Sequence, residues 1–179
     1  MNIDSEPPEE LYSPDLTGAD ERLTEIVKSY SSFGEFSSFI KQGATFTLYE
    51  GLPHDVWEPE ACEEERKKAK ILEIDGTPFY AGPIILPPNT TSQLHARMTN
   101  RRSFVPFRGY KTCGGFHADW CLVFQEGDQE YNAFLCFGCH ELIVYHEGRR
   151  IIYCDIWNSK QFEEILNPLH VHRPAERVD

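Results

Sequence analysis

Five residues, Cys113, His117, Cys136, Cys139 and His140, carry the side chains best suited to chemistry, and they fall in two short motifs, CGGFH and CFGCH. Zinc takes four tetrahedral Cys and His ligands, so Cys113, Cys136 and Cys139 with either His117 or His140 supply a full set, and zinc is the metal that suits these donors best. The same residues admit three other readings. The CxxCH spacing of Cys136 to His140 matches c-type haem attachment, but the opening MNIDSEPPEE has neither the basic start nor the apolar run of an export signal, so haem c is not expected. A redox pair of Cys136 and Cys139 would lack the helix N-terminus that usually lowers such a thiol's pKa. Free cysteine is also among the most buried residue types, so Cys113, Cys121, Cys136 and Cys154 can be small core side chains with His117 and His140 hydrogen-bonded beside them.

Two further groups stand next to this cluster. Arg97, Arg101, Arg102, Arg108 and Lys111 are interleaved with Phe104, Phe107 and Tyr110 and run directly into Cys113 with no acid among them. Arg101, Arg102 and Arg108 are candidate holders of a phosphate or carboxylate, the competing expectation being a basic loop paired with acids of the same chain. Glu50 and His54 flank a Gly-Leu-Pro turn at which a general base is conceivable, while His170 and His172 read as solvated residues of a polar tail. No Ser/His/Asp order, P-loop, GxGxxG or HExxH occurs.

The elements that must position these residues follow from patterning. Strands are expected at Asp119 to Gln125 and Glu130 to Phe137 around Gly127-Asp128, and at Leu142 to His146 and Arg149 to Asp155 around Glu147-Gly148. In the first hairpin, facing residues sum to roughly 255, which sets Cys136 by Asp119 and Cys139 by His117; in the second they sum to roughly 295, which sets Cys154 and Asp155 beside Glu141 and His140. Period-2 alternation would send Cys136 and Cys139 to opposite faces, so the CxxC needs a bend, expected at Gly138. Upstream, helices are expected from Leu23 to Tyr30, Ser31 to Gly43, Pro59 to Lys70 and Pro87 to Thr99, a strand at Thr45 to Tyr49, and a hairpin through Asp75-Gly76. A last helix spans Gln161 to Leu166.

The sum is one α+β domain over residues 22–168, an antiparallel β-meander flanked by short helices, between a disordered acidic tail (1–21) and a polar C-terminal tail (169–179). Net charge is −12, from 29 acids and 17 bases, which argues against a nucleic-acid or membrane-coating protein. Seven of the acids lie in residues 1–21, so the remainder carries −5 and leaves room for an anionic ligand at the basic stretch. No apolar run approaches the roughly 20 residues of a membrane span, and a cytoplasmic, reduced protein is expected.

The trio YEGLPH, CGGFH and CFGCHE, at Tyr49 to His54, Cys113 to His117 and Cys136 to Glu141, resembles a family of small bacterial proteins with no assigned activity, over about Thr45 to Leu166. That resemblance implies that the three motifs share one site and brings no cofactor, partner or catalytic role. A metal-binding module with zinc is the leading expectation. The alternatives are a thiol- or metal-dependent enzyme acting on an anionic substrate, with Cys136 or Cys139 as nucleophile and His117 or His140 as base, and a protein-interaction module whose Cys/His cluster is inert.

Overall fold

The computed structural model describes residues 6–173. Helices α1 (Glu21–Ser29) and α2 (Phe33–Lys41) lead into strand β1 (Thr45–Glu50); α3 (Pro59–Lys68), the hairpin β2 (Ile71–Ile74) and β3 (Thr77–Tyr80), and α4 (Pro88–Thr99) follow. The C-terminal half holds β4 (Phe104–Pro106), β5 (Trp120–Glu126), β6 (Gln129–Cys136), β7 (Glu141–His146), β8 (Arg149–Ile156) and α5 (Lys160–Leu166). Six strands form an antiparallel sheet in the order β1-β5-β6-β7-β8-β4, and β2-β3 stands as a separate ribbon. This is the single α+β domain that the meander pattern implies.

Local chemistry explains most of the elements. Asp20 caps α1 by accepting the amide of Leu23 at 2.7 Å. Pro59 opens α3, whose Glu63/Lys67 and Glu64/Lys68 pairs lie one helical turn apart on its exposed face. Asp75 and Gly76 both take positive φ, 45° and 76°, as does Glu147-Gly148 at 49° and 70°, the conformation that two-residue hairpin loops require.

Alternation then sorts the sheet into two faces. Leu122, Ala133, Val144 and Ile152 lie in line across β5 to β8 and bury against Phe36, Ile40, Leu94, Met98, Phe162 and Leu166 of the helices. Each large apolar side chain removed from water there contributes about 1.5–3 kcal/mol. On the opposite face, Cys121 and Phe134 pack with Phe79 of β3, while Ile26 and Val27 of α1 pack with Phe107.

Three details differ from the sequence reading. Facing residues of β7 and β8 sum to 295 only near the turn (His146 with Arg149); an irregularity at Val144/Tyr145 shifts the rest by one, so Glu141 faces Asp155 and Leu142 faces Cys154. Strand β4, hidden in the sequence by its basic flanks and Pro106, docks on the free edge of β8. The bend in the CxxC is the β6–β7 turn itself, and its positive φ falls on His140 (55°), not on Gly138.

Segments near both ends of the chain engage the domain. Residues 1–5 and 174–179 lie outside the described residues, as do those parts of the two expected tails. Of the acidic tail, Glu9–Tyr12 forms a 3-10 turn, and Tyr12 sets its ring 6.2 Å from that of Tyr30. No helix among the described residues is long and apolar enough to cross a membrane.

Candidate functional site

The three motifs meet at one end of the sheet, on a contact that only glycine permits. A Cβ on Gly51 would sit 1.9 Å from the carbonyl oxygen of Ala118, and the Gly51 amide donates to the Asp119 carbonyl at 2.8 Å. That approach carries Leu52 to His54 alongside Phe116 to Asp119. The imidazoles of His54 and His117 stack with centroids 4.5 Å apart, and ligand atoms of His54, Asp55 and His117 all lie within 4.8 Å of one another. Asp55 and His117 also line a cleft of about 210 Å³ with Arg66, Thr77 and Phe116.

The third motif braces this arrangement. Cys113 and Cys139 are joined by a disulfide. Asp119 accepts the Phe137 amide at 2.7 Å, and the Cys136 sulfur accepts the Cys139 amide at 3.3 Å. From the other side, two buried acids hold the irregular segment that carries Cys113 and His117. Asp155 accepts Arg108 Nε at 3.0 Å and Lys111 Nζ at 2.9 Å, while Glu141 takes the Tyr153 hydroxyl at 2.8 Å with Lys111 at 3.5 Å. Burial pushes the Glu141 carboxyl up and Asp155 adds to this, against the Tyr153 hydrogen bond and Lys111. Buried charges of this kind are tolerated because each has a partner.

The residues expected as metal ligands are therefore divided. Cys113 and Cys139 spend their sulfurs on each other, which also removes Cys139 as a free nucleophile. Cys136 is a buried free thiol whose pKa burial pushes up to about 11, so it is protonated and a poor nucleophile near neutral pH. His140 is exposed and turned to Ser159 Oγ at 2.6 Å, which in turn donates to Glu163. Only His117 of the five belongs to the cluster of potential ligands present among the described residues, and His54 and Asp55 complete it. The three arginines likewise go to separate partners: Arg101 over the Tyr12 ring at 4.6 Å, Arg102 to Glu6, and Arg108 to Asp155.

Glu50 has a role that no sequence pattern signals. Its carboxylate is fully buried and accepts His170 Nδ1 at 2.7 Å and the consecutive amides of Val171, His172 and Arg173 at 3.1, 2.9 and 3.0 Å. Burial raises its pKa, but these four donors outweigh that and leave it below the ordinary carboxylate value. His170 packs its ring 4.7 Å from Trp120, and His172 stacks on Tyr80 and meets the Gly82 carbonyl at 3.0 Å. Residues 170–173 are thus a strap, not solvated residues.

The strap delivers Arg173 into the site. Its guanidinium donates to Asp119 Oδ1 at 3.3 Å and to the Leu52 carbonyl at 2.5 Å, and stands 3.0 Å from His117 Nε2. Burial lowers the His117 pKa, Asp119 opposes this, and Arg173 and His54 lower it further, so the ring is neutral at neutral pH. On His54, Nδ1 accepts the amide of Val56 at 3.0 Å. A neutral imidazole such as that of His117 is the protonation state that a divalent transition metal requires of a histidine ligand.

No family model, curated protein or solved structure matches the chain. A larger cavity of about 960 Å³, between Tyr12, Tyr30, Phe33 and Lys41, contains no residue of the three motifs.

Proposed function

We propose that the protein is a metal-binding module, with zinc the metal that suits it best, and that His54, Asp55 and His117 are its ligands. The observation that carries this reading is the convergence of two imidazoles and one carboxylate, all within 4.8 Å, from segments 62 residues apart in sequence. Two nitrogens and one oxygen match the borderline character of zinc, and three protein ligands leave a fourth position for water or a bound anion. The disulfide and the Asp155–Lys111–Glu141 pairing supply the rigid frame, and the cysteines act as scaffold.

A second reading, a metal-dependent enzyme for an anionic substrate, draws support from one feature: Arg66 lines the same cleft as Asp55 and His117. Equilibrium dialysis against zinc followed by elemental analysis tests the common premise. The oxidised chain is expected to retain about one equivalent, and His54→Ala and His117→Ala below about a tenth. Full retention by both variants would remove these residues as ligands. Hydrolysis of a phosphate or carboxylate ester, present in the zinc-loaded chain and lost in Arg66→Ala, would favour the enzyme.

A further inference from the structure

The strap ends on the very imidazole that the metal needs, and the hydrogen-bonding capacity of one nitrogen controls whether that ring is open to an ion. His117 Nε2 lies 2.9 Å from the Leu52 carbonyl, which can only accept, and 3.0 Å from the Arg173 guanidinium, which can only donate. A neutral ring cannot donate and accept through the same nitrogen. Arg173 also donates to the Leu52 carbonyl itself, so that carbonyl is served whether or not His117 gives it a proton. With Arg173 seated, Nε2 is the acceptor and the ring proton resides on Nδ1. Both nitrogens are then closed to a metal, Nε2 by the guanidinium and Nδ1 by its proton.

With Arg173 withdrawn, the Nε2 lone pair that the guanidinium holds is released. We propose that Arg173 is a resident cation on His117 and that the Glu50-held strap gates metal entry to the His54–Asp55–His117 site by competing for that imidazole. This rests on the metal-binding reading and names the regulation of the same site. Two features make the plug exchangeable. Arg173 Nε is buried with no acceptor among the described residues, so its seat is incompletely satisfied. The strap is also held through backbone amides and one histidine on a single carboxylate, which frees the Arg173 side chain to leave without dismantling the rest.

The test is zinc affinity, measured by competition with a chromophoric chelator on the oxidised full-length chain and on Arg173→Ala, each checked for folding by circular dichroism. The gate predicts at least about tenfold tighter binding in the variant, a difference equivalent to about 1.4 kcal/mol. Equal or weaker affinity in a folded Arg173→Ala overturns the gate while leaving the ligand set standing. No uptake by either chain overturns the metal reading and the gate together. Long-range proton–nitrogen spectra of the metal-free wild-type chain give an independent answer if the variant does not fold: His117 protonated on Nδ1 is the expected tautomer, and protonation on Nε2 would sink the gate.

Discussion

At the scale of single residues, the unusual features are polar groups that water does not reach. Glu50 sits in a strand at zero exposure and is kept ionised by four donors from a segment 120 residues away. Replacing it with Ala would leave three amides and His170 without their acceptor, and each such group costs about 1–3 kcal/mol when it stays buried. The strap should therefore detach as the cheaper outcome. Amide hydrogen exchange at Val171, His172 and Arg173 is expected to quicken in Glu50→Ala while the strands of the main sheet stay protected. The acid limb of stability should carry the same signature. Because folding lowers the Glu50 pKa from its ordinary value of 4.5, its contribution is complete above that value and is lost as pH falls through the lower folded one. Urea midpoints measured downward from neutral pH should decline less steeply in Glu50→Gln than in the wild type over that window.

At the scale of elements, glycine positions separate close approach from mere flexibility. Gly51 is pressed against the Ala118 carbonyl, whereas a Cβ on Gly138 meets nothing within 4 Å and its φ is not positive. Gly51→Ala should cost more than about 2 kcal/mol, because β1 must part from the segment before β5, and Gly138→Ala should stay within about 0.5 kcal/mol. Chemical denaturation of the two variants checks this pair. Elements of this kind are partly legible in the sequence. The two-residue turns Asp75-Gly76, Gly127-Asp128 and Glu147-Gly148 specify hairpins locally, so the pairings β2-β3, β5-β6 and β7-β8 follow from residue order, as does the placing of Cys136 beside Asp119. The one-residue shift between β7 and β8 is not legible, since a bulge has no strong local signature. Nor is the partner of Cys139. Register sets it near the glycine-rich segment, but several cysteines allow several pairings, and which sulfur lies within reach is a property of the folded loop. His54 and Asp55 do not stand out as ligands in the sequence because their tie to His117 runs through a backbone contact at Gly51 that no periodicity reveals.

At the scale of the whole molecule, the site joins segments between Glu50 and Arg173, and its brace is a covalent link between residues 26 apart. Closing a loop of that size restricts the unfolded chain by about 3.5 kcal/mol in the loop-entropy account. Reduction, or Cys113→Ser with Cys139→Ser, should lower the thermal midpoint by several degrees and loosen the segment that carries His117; scanning fluorimetry with and without a phosphine reductant reads this. The disulfide also stands against the reduced state expected of these cysteines, since such links persist mainly in oxidising surroundings. The basic stretch that contrasts with the acidic whole has become internal architecture, Arg108 and Lys111 being consumed by Asp155 and Glu141. What remains for a ligand is the His54–Asp55–His117 cluster, and the spectroscopy of a bound ion addresses it directly. Zinc-edge X-ray absorption of the loaded, oxidised chain should show a shell of nitrogen and oxygen alone at about 2.0–2.2 Å. A sulfur shell at about 2.3 Å would return the metal to the cysteines and contradict the account.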